Sequence, residues 1–298
     1  MYELKRGPEK AILVSCRIEG EDRRAVEDAA GELRSLTSST GGEVVQEVIC
    51  SRETPTPAYF IGKGKVEEVG KLCWELKPDL VIFGSDLSPT QQRNLEETLK
   101  LKVIDRTQLI LDIFAQRAKS TEGKYQVELA QLMYLLPRLT GYVDSLSRLG
   151  GGIGTRGPGE QKLESDRRRI RKRIAKLQDE LSSLQRRRQT MRQKRLDLPL
   201  STIALIGYTN AGKTLLFNRL TQSQEISENR LFSTLDPVAR KCVLPNNQRI
   251  IFLDTVGFLH KLPHHLIESF RATLEEVVEA DLLLHVLDVS HPRVHEQY

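Results

Sequence analysis

The sequence predicts a mixed α/β protein with three parts: an N-terminal α/β subdomain on a parallel sheet, a long antiparallel helical hairpin, and a partial P-loop domain. Three observations lead there. Strand and helix signals alternate through the first hundred residues and return after residue 200, the order typical of a parallel sheet covered by helices. Between these regions, two apolar ladders with heptad-like spacing mark long helices. In the last third, a glycine-rich loop stands between a strand and a helix, as in a phosphate-binding loop. A length of 298 residues accommodates two or three domains. The expected boundaries are 1–108, 109–197 and 198–298.

The elements follow in order. Ala11–Cys16 reads as a strand, and Asp22–Leu36 as a helix that stops at Gly41-Gly42. Val44–Cys50 is a second strand, and Lys65–Leu76 a helix ending before Pro78. Leu80–Phe83 is a short apolar run suited to a buried strand. Ser88 is placed to cap the next helix, with Pro89 in its first turn. Lys102–Asp105 closes the series. The first ladder is Tyr125, Leu129, Leu132, Leu136 and Leu139, and Pro137 should kink or end it. The second is Ile170, Ile174, Leu177, Leu181, Leu184 and Met191. Thr202–Ile206, Thr214–Leu220, Ile250–Leu253 and Leu282–Val289 restore the α/β pattern.

Composition narrows the function classes. No apolar run approaches the length of a membrane span, and the N-terminus has no secretory signal. The four cysteines form no CxxC pair, which argues against a zinc site and favours a reducing, cytoplasmic compartment. The formal net charge of +5 is unevenly placed. Lys162–Arg195 holds fourteen Lys/Arg against four Asp/Glu, mostly arginine. Such asymmetry suits a polyanion partner, although a solvated helix face is the plainer reading of a charge run. Between the ladders, Gly150–Gly159 holds six of the chain's 20 glycines. Flanked by Arg148 and Arg156 at a hairpin tip, this segment is suited to close approach to nucleic acid. An undecorated linker is the alternative.

The sharpest chemical signal is Gly207-Tyr208-Thr209-Asn210-Ala211-Gly212-Lys213-Thr214, a full G-x-x-x-x-G-K-[ST] match. Gly207 and Gly212 let the backbone wrap phosphates. The following helix contributes its positive N-terminus. Lys213 would bridge the β- and γ-phosphates, and the Thr214 hydroxyl would ligate Mg²⁺. About forty residues on, an apolar strand ends in Asp254-Thr255-Val256-Gly257. An aspartate there can hold the water shell of Mg²⁺, and the Gly257 N–H can sense a γ-phosphate. Between these motifs lies Phe232-Ser233-Thr234-Leu235-Asp236-Pro237, whose threonine is suited to close over the metal as an ordering switch.

GYTNAGKT, STLDP and DTVGF in this order resemble the translation-factor-related GTPases, in particular the HflX family. The resemblance extends over the whole chain through Asn94-Leu95-Glu96, Asp105-Arg106-Thr107, Ile113-Phe114, Val127-Glu128-Leu129-Ala130 and Gly152–Glu160. It implies binding and hydrolysis of GTP, with GDP as product, stimulated by the large ribosomal subunit, and a role in splitting or recycling stalled ribosomes. The glycine-rich loop would then reach toward the peptidyl-transferase region. Thr214 and Thr234 would ligate Mg²⁺, with Asp254 acting through water. Lys213, Thr234 and Gly257 would carry catalysis. Gly154, Thr155, Arg156, Gly157, Arg167, Arg168, Arg171 and Arg173 are the candidate rRNA contacts. Family members are also credited with ATP use at the N-terminal region, where Gly62-Lys63-Gly64-Lys65 before a helix is a candidate anion site, although so short a motif more often marks only a turn. A cytoplasmic monomer is expected.

The sequence departs from the family pattern in two places. Thr214-Leu215 stands where the family has Ser-Thr, and either hydroxyl can serve the metal. An N/T-K-x-D motif, whose aspartate reads guanine, is absent. The expectation is therefore a piece of a longer protein, with guanine preference resting on the resemblance. Phe258 follows Gly257 where Ras-like enzymes place a water-orienting Gln, which predicts slow unaided hydrolysis. Two other readings stay open: an RNA-binding module with a purely structural nucleotide pocket, and a P-loop kinase or ATPase unrelated to translation.

Overall fold

The computed structural model describes residues 7–139, 158–193, 200–223, 231–232, 234–259, 277–291 and 294–297. The chain divides into two compact units, Met1–Ile113 with Gln131–Arg171, and Phe114–Ala130 with Lys172–Tyr298.

The first unit is built on a four-stranded parallel sheet in the order β2-β1-β3-β4. Its strands are β1 (Lys10–Ile18), β2 (Glu43–Arg52), β3 (Leu80–Phe83) and β4 (Lys102–Asp105). Central β1 is buried on both faces from Ala11 to Cys16, which is why it reads as a continuous apolar run. Ile12, Val14 and Cys16 share one core with Val48, Cys50, Val66, Val69, Phe83 and Leu95. The helices are α1 (Arg23–Ser39), α2 (Lys63–Leu76) and α3 (Pro89–Leu99). Asp22 caps α1. Ser88 caps α3 in a reciprocal box with Gln91, with Pro89 in the first turn, an arrangement that contributes about 1 kcal/mol.

Gly62 is the N-cap of α2, so Gly62–Lys65 opens a helix and is not merely a turn. The cysteines scattered in sequence are partly gathered by the sheet: parallel register sets Cys16 opposite Cys50, and Cys73 lies in the same core.

Helix α4 (Arg106–Arg117) is not foreshadowed by the sequence pattern. Leu109, Ile110, Leu111, Ile113 and Phe114 are all buried in it, so it carries no clear polar stripe to betray a helical period. Next comes α5 (Thr121–Arg138), which ends one residue after Pro137. Its buried positions include Val127, Leu129, Ala130 and Tyr134. Of the predicted ladder, Leu129 is buried and Tyr125, Leu132, Leu136 and Leu139 are half-buried, and Ala130 and Tyr134 extend the inward face beyond it. Near its end, Arg138 donates to the buried carboxylate of Asp105 at 3.0 Å and lies 3.4 Å over the Tyr134 ring. The Leu87 and Gln108 amides also donate to that carboxylate. Burial still holds the Asp105 pKa above its usual value.

The basic segment forms one long helix, α6 (Pro158–Gln193). Leu177 is its buried ladder residue, and Ile170, Ile174, Leu181 and Leu184 are half-buried, as the apolar spacing predicts. The predicted tip at Gly154, Thr155, Arg156 and Gly157 lies outside the described residues.

The second unit carries a sheet in the order β6-β7-β5-β8. Its strands are β5 (Ser201–Ile206), β6 (Val238–Val243), β7 (Arg249–Asp254) and β8 (Leu282–His285). β5, β7 and β8 are parallel, and β6 runs antiparallel along β7. Strand β6 leaves no apolar run in the sequence, because its exposed Arg240 and Lys241 hide its strand character. The Leu282–Val289 strand is shorter than expected and ends at His285. Helix α7 (Lys213–Thr221) follows β5, and a short α8 (Val294–Gln297) follows β8. Leu205, Phe217, Ile250 and Phe252 form the core of this unit.

Candidate nucleotide site

The site forms at the C-terminal ends of neighbouring parallel strands β5 and β7, where open α/β sheets place their ligands. The residues after β5 turn through Gly207 at φ 144° and Gly212 at φ 91°. Gly207 cannot be replaced without strain, because a Cβ there would lie 2.3 Å from the Val286 carbonyl oxygen. Asn210 also takes a positive φ, 64°, a conformation asparagine tolerates better than most residues. Gly212 caps α7, so Lys213 and Thr214 occupy the helix's first turn with its unpaired amides.

Three oxygen-bearing side chains meet there. The Thr214 hydroxyl donates to Asp254 Oδ2 at 2.8 Å, and the Thr234 hydroxyl donates to the same oxygen at 3.0 Å. The two hydroxyls are 2.9 Å apart. Asp254 is fully buried at the end of β7. Hydroxyl and carboxylate oxygens in this number are the donor chemistry that Mg²⁺ prefers, so these residues fit the metal that phosphate-loop enzymes use. Ser233 lies outside the described residues.

Lys213 is buried beside them. Its ammonium donates to the carbonyls of Gly207 at 3.1 Å and Tyr208 at 2.6 Å. Burial lowers its pKa to about 8, against the opposing pull of Asp254. Phosphate oxygens beside the ammonium would restore its charge. Triphosphate binding is therefore expected to take up a proton at pH 8.5. Affinity should fall as pH rises above about 8, by at most about tenfold per unit. Calorimetry in two buffers of different ionisation enthalpy checks this, and equal heats in both would contradict it.

The Gly257 segment rests directly on the loop. Phe258 N donates to the Gly207 carbonyl at 3.0 Å, and Thr209 N donates to the Phe258 carbonyl at 2.8 Å. A Cβ on Gly257 would lie 2.7 Å from both Lys213 Nζ and Thr209 Cα. Only glycine fits, and its backbone adjoins the lysine.

The structure thus brings Lys213, Thr214, Thr234, Asp254 and Gly257 together. It engages other predicted site residues elsewhere. Thr255 donates to the Leu205 carbonyl and serves the sheet. Phe232 and Leu235 are buried, and the Phe232 ring meets Phe114 edge-on, centroids 4.7 Å apart. Asp236 accepts from residues at the start of α5. Apolar anchoring explains the first two better than nucleotide contact does. Ser120, not among the residues expected at the site, caps α5 by accepting from Gly123 N. The Ser-x-x-Gly spacing carried a cap signal without the usual acidic partner.

Among the candidate rRNA contacts, Arg168 and Arg171 are exposed and Arg167 is half-buried on α6. Arg173 differs from expectation. It forms a two-point ion pair with Glu128 at 2.7 and 2.6 Å, so its fork is already occupied. The pairing holds the Glu128 pKa below the ordinary value.

A phosphate loop after β5, a buried aspartate at the end of β7 and a threonine bridging to it define a P-loop nucleotide hydrolase of the GTPase type. Residues 27–115, 117–195 and 202–298 match three family models, described as GTP-binding GTPase N-terminal, GTP-binding GTPase Middle Region and 50S ribosome-binding GTPase. The GTPase HflX of Caldanaerobacter subterraneus subsp. tengcongensis is 51% identical, over all of this chain and 68% of its own. That of Escherichia coli K12 is 45% identical, over 99% of this chain and 69% of its own. The chain belongs to the HflX family of GTPases. A solved GTP-binding protein from Sulfolobus solfataricus, in complex with GDP, is 25% identical with a TM-score of 0.52, covering 97% of this chain and 74% of that one. No helix among the described residues is long and apolar enough to cross a membrane.

Proposed function

We propose that this GTPase binds the large ribosomal subunit in a nucleotide-dependent way and splits or recycles stalled ribosomes, as a cytoplasmic monomer. The observation that carries the nucleotide half is the convergence of Thr214, Thr234 and Asp254 beside the buried Lys213. In this reading Thr214 and Thr234 hold Mg²⁺, Asp254 supports it through water, and the metal neutralises charge on the β- and γ-phosphates. Lys213 draws the phosphates into the loop, and the Gly257 N–H reports the γ-phosphate. The binding half is supported by the exposed arginines of α6, which suit rRNA phosphates. It is also supported by the match of residues 202–298 to a family described as a 50S ribosome-binding GTPase. The hairpin of residues 109–197 is the part that docks on rRNA, with the glycine-rich segment before α6 reaching toward the peptidyl-transferase region.

Phe258 has no group to orient an attacking water, and its backbone is tied to the phosphate loop. Unaided hydrolysis is expected to be slow, and large subunits should raise it by about 10³-fold or more, the lower end of the range a partner-supplied group contributes. Single-turnover rates with and without purified subunits test this. Fast turnover without them, or no stimulation by them, would overturn the proposal.

A further inference from the structure

The segment bearing Thr234 is held from outside the phosphate loop, at the start of α5. Asp236, two residues on, accepts from the backbone amides of Lys119 and Ser120, each at 2.8 Å, with one carboxylate oxygen. Its other oxygen accepts from the Ser120 hydroxyl. That hydroxyl in turn accepts from Gly123 N at 2.8 Å, capping α5. The fit is close: a Cβ on Gly123 would lie 2.2 Å from Asp236 Oδ1. On the other side of Thr234, Phe232 is buried against Phe114 and takes φ 56°, a strained value for a bulky residue. Thr234 is therefore strung between an aromatic anchor and a three-bond carboxylate latch.

We infer that Asp236, Ser120 and Gly123 form a latch that positions Thr234 for GTP hydrolysis, so that the root of α5 belongs to the nucleotide switch. The inference rests on Thr234 acting as the switch threonine. Asp236 is a positioning residue: it reaches the site only through Thr234. A carboxylate accepting several N–H and O–H bonds at a helix start is strongly held. This removes much of the freedom Thr234 would lose on reaching a metal. Two turns along α5, Glu128 grips Arg173 of α6, so the latch also lies on a path from the phosphate loop to the basic helix.

Four variants of the full chain test this, with GTP hydrolysis measured across a Mg²⁺ titration. Thr234→Ala is expected to lower kcat about tenfold or more. Asp236→Ala should raise the Mg²⁺ concentration for half-maximal rate about tenfold, with kcat at saturating Mg²⁺ recovering to within about threefold. Asp236→Asn keeps a carbonyl acceptor for the two amides and should restore most of the Mg²⁺ response. Ser120→Ala removes one bond and should shift it in the same direction by less. Amide exchange at Lys119, Ser120 and Gly123 should accelerate in Asp236→Ala, which shows that the latch has opened while thermal melting shows the chain still folded. If Thr234→Ala has no effect, the switch-threonine reading itself fails. If Thr234→Ala slows hydrolysis but Asp236→Ala and Ser120→Ala leave the Mg²⁺ response unchanged, the latch is overturned. An Asn variant no better than Ala also overturns it.

Discussion

Lys213→Met is expected to reduce kcat/KM for GTP by about 10²–10³-fold, the loss typical when a preorganised charge aimed at the reacting group is removed. The substitution keeps the side-chain stem and removes only the ammonium. That ammonium donates to the Gly207 and Tyr208 carbonyls and is buried deeply enough to lower its pKa to about 8. Its charge is thus poorly solvated, and phosphate oxygens beside it would compensate it. The variant should melt no lower than the parent in the absence of nucleotide, because a desolvated charge contributes little net stability. Loss of hydrolysis with a preserved melting curve separates a catalytic role from a structural one. Hydrolysis within tenfold of the parent would contradict the assignment.

Gly207→Ala is expected to do the opposite and strike the fold. Gly207 combines φ 144° with a Cβ position 2.3 Å from a backbone carbonyl oxygen on the segment after β8. Backbone cannot yield as a flexible side chain does, so overpacking and strain add. A cost of about 3 kcal/mol or more corresponds to a drop of roughly 6–12 °C in the melting point of a unit this size. Calorimetry that resolves the two units should show the loss in the second. An unchanged transition would mean the loop relaxes freely, contrary to its close packing against the Val286 carbonyl.

The site was largely legible because phosphate chemistry needs fixed residue types at fixed spacings. Gly207, Gly212, Lys213, Thr214, Asp254 and Gly257 each fill a role few alternatives satisfy. The parallel sheet of the first unit was legible for a related reason, since strands buried on both faces read as uninterrupted apolar runs. What escaped was context-dependent. Helix α4 is apolar on too many sides to show its period, and β6 is a charged edge strand paired on one side. The inward face of α5 takes in Ala130 and Tyr134 beside Leu129, and a leucine ladder does not reveal them. Arg173 looked like one more phosphate fork until Glu128, 45 residues away, occupied it. Asp236 sits in a motif that suggests nucleotide contact, yet its partners are 116 and 117 residues distant. Pairings of that kind follow from the tertiary fold, and no local spacing encodes them.

The central claim is that nucleotide state controls engagement with the large ribosomal subunit. Co-sedimentation of the chain with purified large subunits tests it most directly, run with a non-hydrolysable GTP analogue, with GDP and without nucleotide. The account predicts binding strongest with the triphosphate analogue and a loss of that preference in Lys213→Met. It also predicts a steep fall with salt, from the arginine contacts to rRNA phosphate. Equal binding under all three conditions would contradict it, leaving a basic helix that docks regardless of the pocket.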